Sequence, residues 1–152
     1  MKTLQMEIAV TEWLGILPNI IVPCVNAGHL IDHECDILSV SLSGYATEIE
    51  IKVSKSDFLA ESKKTHDHYS DMIKRFYYAV PDQMKDFVID KIPSRAGLII
   101  VKKSLYCRIV KQCVYNDSAI KWNFEQKSAL GHLAARRILS IKKKLHSLTN
   151  DS

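Results

Sequence analysis

The chain has 152 residues, 47% of them hydrophobic, with a formal net charge of +4. That length and composition suit one ordinary domain with a real core and exclude a disordered chain. No apolar run approaches the roughly 18 residues of a membrane span, and Met1–Glu7 lacks a signal-peptide hydrophobic block, so a cytoplasmic protein with no membrane partner is expected.

In chain order, residues 3–14 predict an amphipathic helix, with Leu4, Ile8, Thr11 and Leu14 at helical spacing and Gly15 and Pro18 closing it. Asn19 to Val25 reads as a strand, and 26–29 as a turn. Asp36 to Leu42 predicts a second strand, and Ser43-Gly44-Tyr45 turns the chain into a third over 46–53, giving a meander. A helix follows from about Ser56, with Phe58, Leu59, Ser62, Thr65, Tyr69, Met72, Ile73 and Phe76 along one face. Residues 76–80 read as a strand stopped by Pro81, and 82–91 as a short helix. Residues 96–101 and 106–114 read as two further strands, followed by a polar connection at 116–123. The last helix spans about 124–148. Its predicted apolar stripe is Leu130, Ala134, Ile138, Ile141, Leu145 and Leu148, and its outer face is basic, including Lys127, Arg136, Arg137 and Lys142 to Lys144. The order describes a single α/β domain over 1–148 with a tail at 149–152.

Charge is distributed unevenly: residues 1–50 sum to −6, which leaves +10 for residues 51–152. An acidic region ahead of a basic one suits a metal site beside a polyanion-binding surface. The four cysteines, Cys24, Cys35, Cys107 and Cys113, have no CxxC spacing and sit in apolar surroundings, which predicts buried reduced thiols rather than a zinc site. No glycine-rich phosphate loop occurs.

The chemistry concentrates in Thr47-Glu48-Ile49-Glu50-Ile51-Lys52-Val53-Ser54. Strict alternation makes it a strand with Ile49, Ile51 and Val53 in the core and Glu48, Glu50 and Lys52 on the other face. Beside it lies His33-Glu34-Cys35-Asp36. Asp36 and Glu50 on neighbouring strands can supply two hard carboxylates to a magnesium ion, and Lys52 can orient water and meet charge on a phosphodiester. An isolated Glu-x-Lys on a strand is usually only a surface salt bridge; the surroundings raise this one above that.

Glu50-Ile51-Lys52-Val53-Ser54-Lys55-Ser56-Asp57-Phe58, then Lys63-Lys64-Thr65-His66-Asp67-His68-Tyr69, then Phe76-Tyr77-Tyr78-Ala79-Val80-Pro81, resembles the PD-(D/E)XK nuclease superfamily. It looks closest to the MmcB-like DNA-repair proteins, over roughly residues 30–105. The resemblance implies a restriction-endonuclease-like α/β/α sandwich around a central mixed sheet. It implies a magnesium-dependent nuclease, with manganese able to substitute, that hydrolyses DNA in repair or in the handling of mobile DNA. Asp36 and Glu50 match the metal carboxylates and Lys52 the catalytic lysine. Cys35 stands where the superfamily's proline precedes the first aspartate. The helix-1 acid that some relatives add to the metal shell is Glu7 or Glu12, a choice the sequence leaves open. Lys63, Lys64, His66, His68, Arg136 and Arg137 are the candidate nucleic-acid contacts; His66 and His68 point about 200° apart on a helix and cannot chelate one ion together. The alternative function is a catalytically inactive nucleic-acid- or protein-binding module with the same fold. Nothing in the sequence separates DNA from RNA as the polymer, and a homodimer is left open.

Overall fold

A computed structural model describes residues 1–26, 28, 30–61 and 70–150. Helix α1 (Thr3–Leu14) leads into strand β1 (Asn19–Val25), followed by β2 (Cys35–Ser41) and β3 (Ala46–Ile51). Helix α2 (Lys55–Glu61) precedes β4 (Ile73–Pro81), a 3-10 turn at Asp82–Met84 and the one-turn helix α3 (Lys85–Val88). Strands β5 (Gly97–Val101) and β6 (Cys107–Lys111) complete the sheet, and α4 (Phe124–Asn150) ends the chain.

The six strands lie in one mixed sheet in chain order, β1 to β6. β1, β2 and β3 are antiparallel neighbours, as the expected meander requires. The crossover containing α2 makes β4 parallel to β3, β5 is parallel to β4, and β6 returns antiparallel. Both faces are covered. Met6, Ala9 and Val10 of α1 pack with Ile37, Ile49, Ile51, Tyr77, Ala79 and Ile99 on one side. On the other, Leu130 of α4 packs with Val22, Leu38, Val40, Ala46 and Trp122, while Phe58, Met84 and Val88 cover Phe76, Tyr78, Val80, Leu98 and Ile100. The mixed α/β architecture thus agrees with expectation.

Three expectations about faces and boundaries are corrected. The buried stripe of α1 is Met6, Ala9 and Val10, whereas Leu4 and Ile8 are exposed. The apolar residues of this helix are spread round its circumference between polar ones, so spacing alone does not select the face. Ile73 and Phe76 belong to β4 rather than to the preceding helix; the run Ile73 to Val80 is β-branched and aromatic, and it is gripped on both faces of the sheet. Only Leu130 of the α4 stripe is fully buried, with Ala129, Leu133 and Ala134 packed against the core; Ile138, Ile141, Leu145 and Leu148 are exposed. The physical reason is length: 27 residues make a helix of about 40 Å, longer than the sheet it covers.

Candidate active site

The alternation of β3 places Ile49 and Ile51 against α1 and turns Glu48 and Glu50 to the other face, where their register partners on β4 are Phe76 and Tyr78. That face is not open to solvent. Glu48 is 0%, Glu50 4% and Lys52 5% exposed, with α2 and α4 packed on this side of the sheet through Phe58 and Leu130. A surface salt-bridge ladder is therefore not what these residues form. The Lys52 ammonium donates to Glu50 Oε1 at 2.7 Å, and the Lys52 amide bonds the Ala79 carbonyl, continuing the β3–β4 pairing past the end of β3.

Asp36 lies one step beyond the Ile37–Ile49 pair, opposite Glu50. Its Oδ2 accepts the Ile51 amide proton at 2.7 Å, which ties the carboxylate to the backbone next to Glu50. The β1–β2 register runs unbroken past this position. Pro23 pairs with Ile37 and Val25 with Cys35, and Cys24 between them adopts a left-handed φ of 53°. A non-glycine residue there costs on the order of 1 kcal/mol, and such strain gathers at functional positions. Cys24, Asn26, Glu34, Asp36, Glu50 and Arg137 line one open cleft of about 330 Å³. Asn26 donates to Glu34, and Arg137 donates to the Cys24 carbonyl, so the last helix reaches the site through that one side chain.

The two helix-1 acids lie in different surroundings. Glu7 sits with its Oε1 3.9 Å from Cys24 Sγ, and burial together with the Asp36 charge raises its pKa. Glu12 instead faces Cys107. Burial and the Glu7 carboxylate also push the Cys24 thiol up, although Cys24 is exposed; the expectation of four buried thiols fails at this one, which lines the open cleft. Cys35 is buried. Burial first, then the charges of Glu48, Glu50 and Asp36, push its thiol far up.

A contact that no local sequence pattern announces joins the loop before β2 to β3. His33 Nε2 is 2.8 Å from Glu48 Oε2, and its Nδ1 is 3.0 Å from Asp32 Oδ1. The hydrogen bond to Glu48 outweighs burial and raises the imidazole to about 9, so Glu48 faces an imidazolium. The signal available was a histidine just ahead of the acidic segment at Glu34 and Asp36.

Among the described residues, no three His, Cys, Asp or Glu side chains are gathered closely enough to hold a metal ion unaided. Magnesium does not require that: one or two carboxylates, waters and a substrate phosphate suffice. The donor set is chemically suitable, because Asp36 and Glu50 offer hard oxygens to one cleft. Of the candidate nucleic-acid contacts, Arg137 lines the cleft, Arg136 is exposed on α4, and Lys63, Lys64, His66 and His68 lie outside the described residues.

No family model and no curated protein matches the chain. In structure it is similar to the SPO1766 protein of unknown function from Silicibacter pomeroyi, with a TM-score of 0.64 at 21% identity, covering 96% of this chain and 92% of that one. At that identity the likeness concerns the fold. No helix among the described residues is long and apolar enough to cross a membrane.

Proposed function

We propose that this protein is a metal-dependent nuclease of the restriction-endonuclease-like fold, hydrolysing phosphodiester bonds in DNA during repair or mobile-DNA handling. One observation carries the reading: Asp36 and Glu50, from adjacent antiparallel strands, line one cleft with Lys52 bonded to Glu50. The sequence resemblance assigns metal-binding and catalytic roles to these same three residues.

Asp36 and Glu50 would hold the ion. When bound, magnesium or manganese supplies a Lewis acid for the phosphate and an activated water. The chain's own residues do the rest. The Ile51 amide fixes one Asp36 oxygen, so that carboxylate does not have to be ordered at the moment of binding. Lys52 is buried and held by Glu50, which presents a positioned ammonium to a water or to a non-bridging phosphate oxygen. Arg137, tethered to the Cys24 carbonyl, brings a second cation to the same cleft. The low exposure of Glu50 and Lys52 strengthens each of these interactions relative to water.

The competing reading is a non-catalytic binding module, since a buried Glu50–Lys52 pair also satisfies two charges inside a covered sheet. Cleavage assays with magnesium and manganese on single-stranded, duplex and flapped DNA, and on RNA, decide between them. Glu50→Gln and Lys52→Met should each lower the rate on the order of 100-fold or more while leaving affinity in metal-free buffer nearly unchanged. Equal cutting by wild type and variants refutes the assignment. A wild type that binds DNA yet cuts nothing with any divalent ion makes the module reading the better account.

A further inference from the structure

We propose a second nucleic-acid contact surface, a cation–tyrosine platform at the far end of the sheet that takes an unpaired stretch of strand; it rests on the nuclease reading for its polymer. The platform is built by residues 112–123, which have no regular secondary structure but are strapped across the start of β4. The Asn116 amide bonds the Lys74 carbonyl, the Ile120 amide that of Asp71, and the Trp122 amide that of Gly44. Trp122 Nε1 adds a bond to the Met72 carbonyl at 2.9 Å, and Asn116 Nδ2 bonds the carbonyls of Ser70 and Ile73. Gly44, at φ +89°, makes the tight turn that this docking needs; a Cβ there would press on Lys121 and the Trp122 carbonyl at 3.4 Å.

Onto this rigid base the sequence concentrates cations and tyrosines. The β3–β4 register slips so that Ala46 pairs with Ile73 and Thr47 with Arg75, which leaves Lys74 as the extra residue of a bulge. A bulge re-aims side chains, and here Lys74 and Arg75, adjacent in a strand, both reach Tyr115, at 5.7 and 4.8 Å from its ring centroid. Lys74 and Lys121 also flank Tyr45, at 4.5 and 5.4 Å. Among the described residues Lys74, Arg75 and Lys121 form no ion pair, although Asp117 stands in the same wall. An anionic ligand would relieve their mutual repulsion.

Beneath them lies a cleft of about 200 Å³ lined by Lys74, Phe76, Arg95, Tyr115, Asn116 and Asp117, and Tyr115 is 50% exposed. The cleft is smaller than the roughly 300 Å³ of drug-sized sites, so it suits a single ring rather than a nucleotide cofactor. Cations that meet phosphates, next to an exposed tyrosine on which a base can stack, are the elements of single-strand recognition. A duplex keeps its bases stacked inside and would use only the charges. Phe76 of this cleft is the register partner of Glu48, so cleft and candidate active site share a face of the sheet. Three residues of strand, about 10 Å, separate the Thr47–Arg75 pair from the Glu50–Tyr78 pair.

The test is fluorescence anisotropy with a labelled 20-mer of deoxythymidine in metal-free buffer containing chelator, across a salt series, with circular dichroism and thermal melts confirming that each variant folds. The triple variant Lys74→Gln/Arg75→Gln/Lys121→Gln should bind about 10-fold or more weaker and lower the slope of log affinity against log salt by about 2. Tyr115→Ala should weaken binding roughly 5-fold or more without moving that slope. As a control, Lys142→Gln/Lys143→Gln/Lys144→Gln removes the same charge from the free end of α4 and should weaken binding less. The proposal is overturned if the wild type does not bind the oligonucleotide, if the two triples weaken binding equally, or if Tyr115→Ala binds like wild type. Because no metal is present, the nuclease reading is scored separately: cleavage with an unaffected platform triple removes the platform alone, and platform-dependent binding without cleavage removes the nuclease alone.

Discussion

Glu48 is a carboxylate in mid-strand with no exposed surface, and an ionised group there is tolerable only with compensation. His33 supplies it from the loop before β2. Its pKa, raised from 6.5 to about 9 by Glu48, is a statement about stability. The folded state holds the proton more tightly than the unfolded chain, so the stabilisation is fully present below pH 6.5 and is lost as pH rises through 9. Urea midpoints of the wild type should therefore fall between pH 6.5 and pH 9.5. His33→Gln should be less stable at pH 6.5, by about 3 kcal/mol, with a flatter profile over the same window. An unchanged slope would mean that the imidazole is not charged in the fold. The contrast with Glu50 shows what the sequence could and could not say. Glu50-x-Lys52 was readable because strand alternation places both on one side. The His33–Glu48 contact and the placing of Glu7 near Asp36 depend on how a loop and a helix cross the sheet, which no local pattern encodes.

At the level of elements, the chain announced nearly all of its strands and helices, because period-2 and period-3.6 patterns are local. Which face of an element is covered was less readable. The apolar residues of α1 are spread round the helix and do not mark its buried face, and the α4 stripe continues past the end of the body. Helix and strand also blur where Ile73 and Phe76 satisfy either period. One packing detail carries a firm prediction. Gly97 opens β5 opposite Tyr77, and a Cβ there would lie 2.3 Å from two Tyr77 ring carbons and 2.8 Å from the Cys113 amide nitrogen. The ring has little room to yield, since its hydroxyl bonds Gln112 at 3.0 Å. Gly97→Ala should cost about 2–3 kcal/mol, a drop in Tm of several degrees for a chain this size. A melting temperature within a degree of wild type would show that β5 shifts freely.

Across the whole molecule, the uneven charge acquires a spatial meaning: the acidic first 50 residues include Glu7, Asp36 and Glu50, while the basic remainder includes Lys74, Arg75, Lys121 and Arg137. The sheet order repeats the chain order, so each strand pairs only with sequence neighbours. Helix α1 is the exception. It is the first element of the chain, yet it packs across strands as late as β6, touching a cluster that includes Cys107 and Cys113. The strands can assemble pair by pair through short loop closures, which favours speed, but the helix has no complete seat until the last of them is present. What is made first is thus locked last. Pulse-labelled hydrogen exchange during refolding should protect the amides of β2 to β4 before those of Met6, Ala9 and Val10; protection of the helix at the same time or earlier would contradict this order. Until that final docking, the apolar surface of Ile37, Ile49, Tyr77 and Ile99 stands uncovered on a growing sheet, so the vulnerable species for aggregation is a nearly finished protein that lacks only its first twelve helical residues.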